Sequence, residues 1–177
     1  MTRYAVARAL VISMFVLSAR HAIAQGSAKD PCALLKPAEI QAVDANAKIG
    51  SGVGETNPLG ASCTYHWGPR TKEWGESALS IRLIDTSKAW PGRNPDIITQ
   101  GVLLKVRRGG PNASQIPGVG DAAVFSLSER YPTNRDATAE AYLRSKGVLL
   151  SVELHGGDLV AKKDQLIALL KTAAARL

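Results

Sequence analysis

Histidine, cysteine and aromatic residues are scarce in this chain of 177 residues, and each scarcity removes a class of chemistry. The histidines are His21, His66 and His155 and the cysteines Cys32 and Cys63, with no C-x-x-C or H-x-x-x-H spacing among them. A zinc site or a closely spaced redox pair is therefore not expected, and no metal or cofactor is assigned. The glycines between Gly50 and Gly60 are not followed by Gly-Lys-Ser/Thr, which argues against a phosphate-binding loop. No Gly-x-Ser-x-Gly nucleophile elbow occurs. Basic residues are scattered, and their densest group, Lys105-Val106-Arg107-Arg108, reads as a solvated helix end. Without a basic stripe interleaved with aromatics, nucleic acid is not an expected partner.

What is present begins with a leader. Arg3 and Arg8 precede an apolar run from Ala9 to Leu17, and Ala22-Ile23-Ala24 supplies a small-residue cleavage motif, so residues 1–24 read as a secretory signal peptide. The run is about ten residues, roughly half of what a bilayer-spanning helix needs, and no transmembrane anchor is expected once it is removed. Residues 25–177 then form one domain, long enough to bury a core. The leader takes Arg3, Arg8 and Arg20 with it and no acid, which leaves a mildly basic product. Localisation is expected to be periplasmic or secreted. In such a compartment an even cysteine count is most simply one disulfide, Cys32–Cys63.

Element patterns follow in chain order. Pro37 and Glu39 suit the first turn of a helix whose apolar face is Leu35, Ile40 and Val43. Residues 46–60 carry too many glycines and a proline for a regular element and read as a loop. Ser62 to Trp67 and Ala78 to Ile84 predict a hairpin, the second strand alternating Leu79, Ile81 and Leu83 against Ser80 and Arg82. Asp96 to Arg108 predicts a helix closed by Gly109-Gly110. Ala122 to Ser128 reads as a strand, and Ala139 to Arg144 pairs with Val148 to His155. In the latter, Val148, Leu150, Val152 and Leu154 share one face and Leu149, Ser151, Glu153 and His155 the other. A final amphipathic helix ends at Leu177. The sum is an α+β fold: one mainly antiparallel sheet, helices packed on one face, a faint two-fold internal repeat and one disulfide.

Two local features invite a role. Pro117, Gly118, Gly120 and Asp121 form a bend that leads into a strand; an anion or metal could sit there, but a structural turn is the simpler reading. Tyr65, Trp67, Trp74 and Trp90 gather around one ribbon and are the candidate ligand- or partner-binding residues, with residues 50–60 as a rim; covering the edge of the sheet is the competing role.

The segments Asp30-Pro31-Cys32-Ala33-Leu34-Leu35, Pro37-Ala38-Glu39-Ile40, Cys63-Thr64-Tyr65 and Pro117-Gly118-Val119-Gly120-Asp121-Ala122-Ala123 together resemble a group of uncharacterised bacterial exported and envelope domains, many of them lipoproteins. This chain departs from them in lacking a lipobox cysteine. The resemblance implies an exported, non-catalytic domain and transfers no catalytic residue.

The expected function is thus an exported, non-enzymatic envelope or periplasmic binding or accessory module, whose partner is an envelope protein or a cell-wall glycan. A small secreted or periplasmic hydrolase is the alternative. It would draw on His66 or His155 with Asp121 or Asp158 and a serine, or on two acids among Glu39, Glu55, Glu73, Glu76 and Asp121.

Overall fold

The computed structural model describes residues 29–71, 75–131, 134–156 and 159–177. The leader assigned to residues 1–24, Trp74, Glu73 and Asp158 lie outside the described residues.

Seven strands form one antiparallel sheet: β1 (Val53–Asn57), β2 (Gly60–Thr71), β3 (Gly75–Asp85), β4 (Ala113–Gln115), β5 (Ala122–Tyr131), β6 (Asn134–Leu143) and β7 (Val148–His155), in the order β1-β2-β3-β7-β6-β5-β4. Two meanders, β1 to β3 and β4 to β7, thus meet where β3 pairs with β7. Period-two alternation sorts the side chains, because neighbouring residues of a strand point to opposite faces. Cys63, Ile81, Val152, Ala139 and Phe125 are in register across five strands, and all are buried on one face.

Two layers cover that face. Over β2 and β3 lies the N-terminal segment, with the helical turn α1 (Pro37–Ile40), which buries Leu34, Leu35, Ile40 and Val43. Over β6 and β7 lies α4 (Lys163–Arg176), which buries Leu166, Leu169, Leu170 and Ala173. Each fully buried leucine contributes about 2 kcal/mol by leaving water. The Cys32–Cys63 disulfide fastens the N-terminal layer to β2. Arg176 joins the two layers: its guanidinium donates to both carboxylate oxygens of Glu39, at 2.7 and 2.6 Å, and to the Leu34 carbonyl at 2.7 Å.

The expectation that helices pack on one face is corrected here. A short helical turn, α2 (Thr86–Ala89), leads into α3 (Pro95–Gly109), which lies against the opposite face. There Ile98 and Val102 meet Ala122, Val124, Tyr142 and Leu149, a second apolar cluster with Trp90 packed at its side. Asn94 caps α3 by accepting the Asp96 N–H at 2.8 Å, and Arg107 and Arg108 occupy the last turn, as the dipole favours. The two-fold repeat is not confirmed. Each meander is followed by a helix, but α3 and α4 pack on opposite faces of the sheet.

Residues 53–57, read as loop from sequence, are a strand. The glycines around it meet close approaches. A Cβ on Gly52 would stand 2.3 Å from Cys63 Sγ, and one on Gly60 would stand 1.9 Å from the Leu83 carbonyl oxygen.

Candidate functional site

The polar face of the sheet is built by the same alternation that builds the core. On β2, β3, β7 and β6, the residues between the buried ones are Ser62, Thr64 and His66; Ser80 and Arg82; Ser151, Glu153 and His155; and Asp136, Thr138 and Glu140. The strand register sets them in rows. His66, Ala78, His155 and Asp136 form one row, Thr64, Ser80, Glu153 and Thr138 the next, and Ser62, Arg82, Ser151 and Glu140 a third. Helix α3 covers the end of this face nearest Tyr142 and Leu149 and sends Lys105 over the third row.

Short polar contacts organise these rows. Lys105 Nζ donates to Glu140 Oε1 at 2.6 Å, which gives a carboxylate that is nearly buried a cation beside it. The Thr64 and Ser80 hydroxyls lie 2.9 Å apart across the β2–β3 pair. His155 Nδ1 is 2.6 Å from Asp136 Oδ1 across the β7–β6 pair. Arg82 is the outlier, with its side chain 51 % exposed and a distant 3.8 Å contact to Glu153. A guanidinium that is half exposed and loosely held presents donors outward.

No protein-family model matches this chain, and no curated protein or solved structure matches it. The site is therefore defined by its own geometry.

Of the candidate aromatic residues, Tyr65 and Trp67 do not lie on an exposed surface, and Trp74 lies outside the described residues. Tyr65 is 2 % exposed and Trp67 6 %, both on the core face beneath the N-terminal layer. Their polar tips are used internally: Tyr65 Oη donates to the carbonyls of Cys32 and Leu35 at 3.1 and 3.3 Å, and Trp67 Nε1 donates to Asp44 Oδ2 at 3.1 Å. Burial raises the Tyr65 pKa, so its hydroxyl stays a donor. Trp90 is half-buried on the opposite face, against α3. The strand alternation that places Tyr65 and Trp67 between Thr64, His66 and Gly68 points them inward, because that side has an N-terminal layer to receive them.

The bend at Pro117, Gly118, Gly120 and Asp121 is a turn stitched to the sheet. Gly118 and Gly120 have φ of 74° and 57°. The Asp121 N–H donates to the Tyr142 carbonyl at 2.9 Å, and its carboxylate accepts the Arg144 N–H at 2.8 Å. Arg144 also pairs with Asp96 at the start of α3, which raises its pKa. Asp121 is thereby engaged in holding the β6–β7 connection.

Catalytic chemistry has one half of a relay here, the His155–Asp136 pair. Among the described residues no hydroxyl contacts the His155 ring, and no three metal-ligating side chains gather. The array can instead make many hydrogen bonds over a broad area. Sequence reasoning placed Ser80, Arg82, Ser151, Glu153 and His155 off the core face, gave His155 a place only in the hydrolase alternative and assigned the others no role. Asp136 and Glu140 escaped it. The strand was read from Ala139 onward, so Asp136, the cross-strand partner of His155, was invisible, whereas Glu140 lay inside the strand as read and was given no role.

Proposed function

We propose that this chain is an exported, non-enzymatic binding or accessory module of the bacterial envelope, and that it engages a polypeptide partner through the polar face around Arg82. One observation carries the reading: along the three rows, the hydroxyl, imidazole and guanidinium side chains of β2 and β3, with Glu153 and His155 of β7, are exposed or half-buried among the described residues, while the other face of the same strands is roofed by the N-terminal segment and α4. A solvated face is ordinary for antiparallel sheets, but a half-exposed arginine at its centre gives it a recognition anchor. A glycan partner would favour aromatic platforms, and Tyr65 and Trp67 are turned inward. Export is supported by the leader-like residues 1–24 together with the disulfide, since such bonds persist in oxidising compartments.

The test is crosslinking in envelope extracts with wild-type protein, Arg82→Glu, and Lys171→Glu on exposed α4 as a control. Loss of a crosslinked partner for Arg82→Glu alone supports the reading; equal capture by all three sinks it. Mass spectrometry of exported material checks the rest, with a chain starting at Gln25 and two hydrogens lost to the disulfide as the expected result.

A further inference from the structure

The outer edge of β1 ends the sheet, and no described strand pairs with it. All five residues of β1 are exposed, although the N-terminal layer comes close at Gly54, where a Cβ would stand 3.4 Å from Cys32 Sγ. Chains protect such edges with proline, lysine, a bulge or a covering helix. None of these is found on β1: Val53–Asn57 contains no proline or lysine, and its register with β2 runs unbroken from Val53↔Thr64 to Asn57↔Gly60. The opposite edge differs, since β4 is three residues long and lies beneath α3. Exposed apolar side chains stand at both ends of the open edge, Val53 at 59 % and Leu59 at 49 %.

We propose that β1 accepts an extended segment of the partner polypeptide as an eighth strand, with a basic residue of that segment opposite Glu55. This rests on the reading of the chain as a polypeptide-binding module and names how the partner is held. Backbone hydrogen bonds to an open edge give affinity without sequence demands, and alternate side chains give selectivity. The register places Val53, Glu55 and Asn57 on the polar face, beside Thr64, Ser62 and Gly60. Glu55 therefore heads the row that continues through Ser62, Arg82, Ser151 and Glu140. In that row, acid and base alternate every second strand, and a lysine or arginine beside Glu55 meets its only charge. A second copy of the chain is the poorer occupant. Two-fold pairing along the whole of β1 sets Glu55 against Glu55, and like charges directly opposite each other destabilise a strand pair.

The probes are two synthetic peptides, acetyl-Thr-Val-Thr-Lys-Thr-Val-Thr-amide and the same peptide with a central glutamate, titrated into the intact protein and followed by backbone amide shifts. The expected result is shifts centred on residues 53–57 and binding of the lysine peptide about fivefold tighter than the glutamate peptide. Glu55→Lys should reverse that order. Thr56→Pro should abolish binding, and because it could also displace the strand, the charge reversal decides. Absence of binding, equal binding of both peptides, an unreversed preference in Glu55→Lys, or concentration-dependent dimerisation through β1 would each overturn the proposal. If these fail while Arg82→Glu still loses its envelope partner, the edge is not the site and the polar face stands; if Arg82→Glu also changes nothing, both readings fall.

Discussion

Gly120 carries two constraints at once, a φ of 57° and a Cβ position 2.4 Å from the Tyr142 carbonyl oxygen. Gly118 carries one, a φ of 74° with open space around it. Alanine at Gly118 should therefore cost about 1 kcal/mol and alanine at Gly120 about 3 kcal/mol or more, read from urea unfolding midpoints. Equal losses would mean that the close approach to β6 is relieved by a small shift. Asp121→Asn should be nearly silent, since an amide oxygen still accepts from Arg144, whereas Asp121→Ala loses that acceptor. The sequence made this turn readable because proline, glycine and aspartate have local conformational meanings. It misled at Gly52 and Gly60, where glycine answers to Cys63 and Leu83 brought near by folding. A local rule reads such residues as a flexible loop, and only the sheet register shows them as clearance for neighbours.

Helix α3 was legible as an element, from Asp96 to the glycines at its end, but not in its Asn94 cap, its Pro95 start or its placement. The reason lies in β5, where Ala122 and Val124 face α3 while Ala123 and Phe125 face the opposite core. A strand buried on both sides reads as a continuous apolar run and does not say which face a helix takes. Lys105 now identifies that packing. Lys105→Ala should leave the Glu140 carboxylate buried without its cation and cost about 1 to 2 kcal/mol, while Arg108→Ala, one turn on and exposed, should change little. The N-terminal turn α1 and α4 are joined by a second pair with a pH signature. The Arg176 hydrogen bonds, with help from the Lys36 N–H, hold the Glu39 pKa down to about 2 from 4.5. A depressed carboxylate contributes stability that is complete above its unfolded pKa and is lost as pH falls through the folded one. Glu39→Gln should thus melt about 3 °C below wild type at pH 7, with the gap closing between about pH 5 and pH 2. A gap that persists at pH 2 would assign the effect to packing.

At the scale of the whole molecule, the sheet is continuous, but its two halves are secured differently. The β5–β7 half is packed by helices on both faces, whereas β1 and β2 carry a layer on one face only, a short N-terminal segment tied down by Cys32–Cys63. That segment holds little regular structure of its own, three residues of 3-10 helix and four of α-helix, so its order depends on the tether and on the side chains it buries. Closing a loop across 31 positions should stabilise the fold by roughly 3 to 4 kcal/mol, mainly by restricting the unfolded chain. The double variant Cys32→Ala, Cys63→Ala should lower the urea midpoint accordingly. Hydrogen exchange should show where the loss falls. Because Tyr65 and Trp67 lie beneath the same segment, amides of β1 and β2 should lose protection first, while β6, β7 and α4 keep theirs until global unfolding. Fluorescence gives an independent reading, since Trp67 would meet water as the segment lifts while Trp90 stays packed against α3. Uniform loss of protection across the sheet would show that the two halves unfold as one unit and that the disulfide stabilises the whole molecule rather than its N-terminal layer.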